Sequence, residues 1–72
     1  MKEIFVIHEN QDIIAARDTM EHAIAACIQL MAIRGYLCQE FGYGDDVSYI
    51  TYLDIKDIRT MYIEKTSYKE GI

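Results

Sequence analysis

The apolar pattern of this chain predicts an α+β fold: an antiparallel sheet of two hairpins under one long central helix, in the order ββαββ. Three observations predict it. Residues 3–8 form a β-branched and aromatic run closed by a polar turn, ten of the eleven residues 23–33 are apolar, and residues 47–53 alternate between two faces. The length of 72 residues fits a single small domain, spanning residues 1–72.

The first strand, Glu-Ile-Phe-Val-Ile-His at 3–8, runs into Glu9, Asn10, Gln11 and Asp12, a turn composition. Residues 13–17 admit two readings. They are the return strand of a hairpin, or the opening of a helix capped by Asp12, because Ile13, Ala16, Met20, Ile24, Cys27 and Met31 keep a spacing of three or four. The hairpin is favoured because Asp18-Thr19-Met20-Glu21 reads as a capping box, with Asp18 or Thr19 accepting from first-turn amides and Glu21 reaching back. A helix from Thr19 ends at Arg34 before Gly35, or continues to Phe41 with Gly35 costing about 1 kcal/mol relative to alanine. Residues 42–46 then form a turn. Val47, Tyr49, Thr51 and Leu53 share one face of a strand, residues 58–66 behave similarly, and 54–57 join the two as a second hairpin. Residues 69–72 read as a loose tail.

Composition excludes several classes. With 51% hydrophobic residues the chain is too apolar for a disordered acidic tail, and its apolar run at 23–33 is too short to span a bilayer. Twelve acids against seven bases give a net charge of −5, which disfavours direct binding to nucleic acid. Met1 leads straight into Lys2 and Glu3 with no signal-peptide series, so a cytoplasmic protein with no membrane partner is expected.

A chain of this size usually needs a disulfide, a metal or a partner subunit to support its core. On a continuous helix Cys27 and Cys38 lie about 16 Å apart along the axis, too far to bridge, and two reduced, buried thiols are expected. His8, His22, Cys27 and Cys38 show no zinc spacing, and Asp45-Asp46 reads as solvated acids rather than a cation site. No cofactor or metal is expected. Oligomerisation is left as the support. The helix is apolar nearly all round: Met20, Ile24, Cys27 and Met31 can meet the sheet while Ala25, Ile28, Ala32 and Tyr36 point elsewhere. These four are the expected interface of a homo-oligomer, a dimer in the simplest case.

Charge is uneven along the chain. Residues 35–55 contain no Lys or Arg, while Glu40, Asp45, Asp46 and Asp54 contribute −4 beside Tyr36, Phe41, Tyr43, Tyr49 and Tyr52. Tyrosine gives large contact area at low entropy cost, and carboxylates steer a basic partner. Tyr43, Asp45, Asp46, Tyr49, Tyr52 and Asp54 are therefore the candidate partner-binding residues. No residue is singled out as catalytic: nothing places a nucleophile beside His8 or His22, and Gly42-Tyr43-Gly44 is followed by aspartates that would repel phosphate.

The run Ile4-Phe5-Val6-Ile7-His8, the pieces Ile13-Ile14-Ala15-Ala16 and Asp18-Thr19-x-Glu21-x-Ala23, and a late Tyr62-Ile63-Glu64 together resemble small strand-strand-helix-strand proteins of unknown function common in phages and Gram-positive bacteria. The chain departs from them in its apolar helix and its additional strand around 49–53. The resemblance implies an accessory protein of phage type in the host cytoplasm, acting stoichiometrically to block a host enzyme, a restriction complex or a CRISPR effector. It assigns no functional residue.

Two functions follow. The first is a non-enzymatic inhibitor or adaptor that docks the acidic, tyrosine-rich surface on a host protein with a basic surface. The alternative is a homo-oligomeric binder or sponge for a nucleotide signal, with tyrosines stacking a base and Arg17, Arg34 or Arg59 holding phosphate.

Overall fold

The computed structural model describes residues 2–68; the expected tail at 69–72 lies outside the described residues. The elements are β1 (Lys2–Glu9), β2 (Asp12–Arg17), α1 (Met20–Arg34), β3 (Leu37–Gly42), β4 (Val47–Asp54) and β5 (Asp57–Tyr68). All pairings are antiparallel, and the strands lie in the order β2-β1-β5-β4-β3. The fold is α+β with one helix, as expected, but with five strands rather than four.

Residues 13–17 are the return strand of a hairpin. Asn10 and Gln11 both take left-handed backbone angles (φ 52° and 73°), the two-residue type I′ turn that matches strand twist. A bulge between Ile7 and His8 shifts the β1–β2 register. The helix starts on Thr19, whose Oγ1 accepts from the amide of His22 at 3.0 Å. The side chain returning to this terminus is that of His22 rather than Glu21, its Nδ1 lying 2.6 Å from Asp18 Oδ1. Gly35 closes the helix at φ 73°, with the amide of Tyr36 donating to Met31 O at 2.9 Å in a Schellman arrangement.

Residues 37–42 correct the expected topology. They are neither helix nor turn but an edge strand paired to β4. Gly35 stops the helix, and a bulge at Gln39 breaks the alternation that would have marked a strand: Cys38 opposes Tyr52 while Glu40 opposes Thr51. Cys38 therefore lies on a strand and is exposed, whereas Cys27 is buried and both thiols are free.

The helix joins the two edges of the sheet and packs chiefly on β1, β5 and β2. Its buried stripe, Met20, Ala23, Cys27 and Met31, meets Ile7, Met61, Ile63, Ile50 and Tyr52 from the sheet. These sheet residues alternate with a second set pointing away from the helix. No helix among the described residues is long and apolar enough to cross a membrane.

Candidate functional site

Alternation places Ile4, Val6 and His8 of β1, Tyr62 and Glu64 of β5, and Val47, Tyr49 and Leu53 of β4 on the sheet face opposite the helix. An antiparallel sheet with one covered face ordinarily shows polar residues on the other. Here the open face is largely apolar. Register sets Gly42, Tyr49, Tyr62, His8 and Ile13 in one row across all five strands, with Leu37, Leu53 and Ile58 in a parallel row toward one end. Ile13, Leu37, Val47 and Ile58 are each more than half exposed.

Within the long row the rings are ordered by their neighbours. His8 stacks on Tyr62 with centroids 4.6 Å apart and planes 9° from parallel. Tyr49 lies over Gly42, its ring filling the space that a Cβ would take. Glycine at 42 is what lets that ring lie flat on the strand. His8 Nε2 is shielded from solvent without a hydrogen-bond partner, and Glu64 Oε1 is 3.9 Å away.

The turn at 43–46 projects from the end of the face carrying Val47 and Tyr49. It is held from inside: the buried Ser48 Oγ accepts from the amide of Gly44 and donates to Gly44 O, each at 3.0 Å. The amide of Lys65 donates to Asp46 O at 2.8 Å, and Lys65 Nζ pairs with both Asp46 (2.8 Å) and Glu3 (3.0 Å). This fixed frame carries exposed Tyr43 and Asp45 outward. Tyr43, Asp45 and Asp46 are thus held in the β3–β4 turn beside Val47, with Tyr49 two residues farther along β4.

Tyr52 and Asp54 are not among them. Tyr52 faces the helix, is fully buried and stacks on Tyr36 at 4.6 Å, so it offers nothing to a surface partner. Asp54 sits at the far end of β4, on the helix side, and pairs with Arg59 at 3.6 Å. The alternation of residues 47–53 carried the signal: Tyr49 and Tyr52, three apart on a strand, must point to opposite faces. Sequence reasoning missed Val47, Tyr62, Glu64 and His8, which join Tyr49 only through the β1–β5–β4 register.

A second polar centre lies at the opposite end, beneath the helix C-terminus. Glu9 accepts from Tyr52 Oη at 2.5 Å and from Arg34 Nη1 at 2.9 and 3.0 Å. Arg34 also stands over the Tyr36 ring, 5.7 Å from its centroid. Burial works to raise the pKa of Glu9, but the hydrogen bonds from Tyr52 and Arg34 outweigh it and hold the carboxylate below its ordinary value. Burial first, then the bond to Glu9, pushes the Tyr52 phenol upward. Arg34 and Arg59 both lie near Glu9, whereas Arg17 lines a shallow depression on the other flank of the helix with His22, Ala25, Ala26 and Gln29. The three arginines do not form one phosphate site.

The expected interface residues also divide. Ile28, Ala32 and Tyr36 line an apolar groove of about 350 Å³ between α1 and the β3–β4 side of the sheet, with Ile24, Phe41 and Ile50. Ala25 lies on the opposite flank. Among the described residues no group of three or more His, Cys, Asp or Glu side chains is placed to hold a metal ion. Neither a family model, nor a curated protein, nor a solved structure matches this chain.

Proposed function

We propose that this chain is a non-enzymatic binding protein that acts stoichiometrically, docking the open face of its sheet and the acidic turn at 43–46 on a basic surface of a partner protein. The observation that supports this best is the composition of that face. Tyr49, Tyr62 and Val47 form an apolar, aromatic centre, and Glu64 and the exposed Asp45 of the adjoining turn stand beside it, the arrangement of a buried interface core with a charged edge, while Asp46 is engaged by Lys65. The carboxylates would steer a basic partner, and the rings would hold it once water is excluded. The resemblance to phage-type accessory proteins favours an inhibitor that blocks a host enzyme or nucleoprotein complex from within the host cytoplasm.

Tyr52 and Asp54 leave the proposed site, and Val47, Tyr62 and Glu64 enter it. The alternative, a nucleotide-binding oligomer, is less well supported, because Arg34 is engaged by Glu9, Arg59 by Asp54, and Arg17 is remote from both. The test is affinity purification from the cells that make the protein, at low and high salt. The pair Asp45→Lys and Glu64→Lys leaves the Asp46–Lys65 tie intact. A polypeptide retained at low salt by the native chain and lost by this variant supports the reading; equal retention at both salt concentrations contradicts it.

A further inference from the structure

We propose that the open face carries its own acid switch: protonation of His8 draws the Glu64 carboxylate onto the imidazole and so neutralises a charge otherwise offered to a basic partner. Closure involves this chain alone, while its effect on binding rests on the docking role proposed above.

One member of the pair is held and the other is able to swing. The His8 ring is stacked on Tyr62 and its side chain is 17% exposed, whereas that of Glu64 is 53% exposed. Nε2 of His8 is shielded from water and has no hydrogen-bond partner. Neither neutral tautomer cures this, since an Nε2–H there lacks an acceptor and a bare Nε2 lacks a donor. Glu64 stands diagonally across from His8, opposite Val6, a position that a long side chain spans. Its Oε1 lies 3.9 Å from Nε2, too far for a hydrogen bond. A swing of about 1 Å would bring it to the roughly 2.8 Å of a charge-assisted bond.

The surroundings single out that carboxylate. From β5, Tyr62 and Glu64 face the ring; β2 sets Ile13 opposite it; and Tyr49 of β4 lies beyond Tyr62 in the same row. Along β1 the next residue on this face is Val6. Glu9 opposes Asp12 and is engaged by Tyr52 and Arg34 on the helix side. Protonation therefore gives Nε2 a proton to donate and Glu64 as the acceptor within reach. It also sets an imidazolium against the face of the Tyr62 ring, 4.6 Å between centroids, the geometry of a cation–π contact. The orphaned atom is satisfied in this closed form alone. Closing changes the charge of the pair from −1 to zero and leaves Asp45 as the acid beside the apolar centre, because Asp46 is held by Lys65.

The experiment is an NMR titration of the whole chain from about pH 8 to about pH 5.5, the span in which imidazoles ordinarily change charge and carboxylates ordinarily do not. As His8 titrates, an Nε2–H resonance protected from water exchange is expected to appear, and the Glu64 side-chain couplings are expected to settle from an average onto one rotamer. His8→Phe keeps a ring on Tyr62 and removes the proton, so its Glu64 couplings should stay averaged. An exposed imidazolium proton with Glu64 averaged throughout overturns the switch, and the native chain decides this even if His8→Phe fails to fold. Decalysine, whose charge is constant over this range, reads the effect on binding. Its loss of affinity in acid is expected to be about threefold greater for the native chain than for His8→Phe, which retains His22, the worth of one exposed ion pair. Closure without that difference overturns the effect on binding and removes Glu64 from the docking surface. Salt-sensitive decalysine binding without closure overturns the switch and leaves the docking role standing.

Discussion

Glu9 shows how much of this fold is decided by single side chains that meet only through the sheet register. It lies 43 residues from Tyr52 and 25 from Arg34, yet both donate to it. Nothing in the local sequence marks that meeting. Because the folded pKa of Glu9 is depressed, its contribution is fully present above its ordinary value of 4.5 and is lost as pH falls through the lower folded value. Glu9→Gln is expected to cost about 2 kcal/mol near neutral pH, in the range for hydrogen bonds to a charged group. In urea denaturation the gap between native chain and variant should narrow steadily as pH is lowered; a gap independent of pH would refute this role. Ile55 is the opposite case. At φ 60° and 93% exposed it carries a β-branched side chain in left-handed backbone without packing to offset the strain. Ile55→Gly should stabilise the β4–β5 turn by about 1 kcal/mol, readable as a raised Tm, and a lowered Tm would contradict the strain assignment.

At the scale of elements, legibility followed the strength of local signals. The start of the helix was readable from the cap at 18–21, which also favoured the first hairpin over a helical reading of 13–17, but the helix end stayed open between Arg34 and Phe41 until the left-handed Gly35 settled it. The strand β3 was not readable. Its bulge at Gln39 spoils the period of two, and Leu37–Phe41 follows an apolar helix whose spacing it can be mistaken for. The β3–β4 pair also depends on Gly42, where the Tyr49 ring occupies the space of a Cβ. Gly42→Ala must displace that ring from the open face and is expected to cost about 1–2 kcal/mol. The assigned Tyr49 ring resonances in the NMR spectrum should shift as the ring leaves the strand; unchanged ring shifts together with unchanged stability would show that the close approach is dispensable.

For the whole molecule, the governing fact is that one helix cannot cover a five-stranded sheet whose two faces are both apolar. The helix buries Ile7, Ile50, Met61 and Ile63, while Ile13, Val47, Tyr49 and Ile58 stand on the open face. The acidic, tyrosine-rich character of residues 35–55 was legible in the sequence. Which of those residues share a surface was not, because membership is set by strand alternation and by the order in which strands pair. Tyr43, Asp45, Asp46 and Tyr49 remain together, Tyr52 turns inward, and Tyr62 and Glu64 arrive from β5. On the proposed function, this open face receives a basic protein. The most direct measurement places a photo-cross-linking phenylalanine derivative at Tyr49, at Tyr62 or at Ala25 on the outer helix, in the cells that make the protein. The expected result is one polypeptide adduct common to positions 49 and 62, absent at 25, and abolished by Asp45→Lys with Glu64→Lys. An adduct confined to position 25, or one unaffected by the charge reversal, would contradict it.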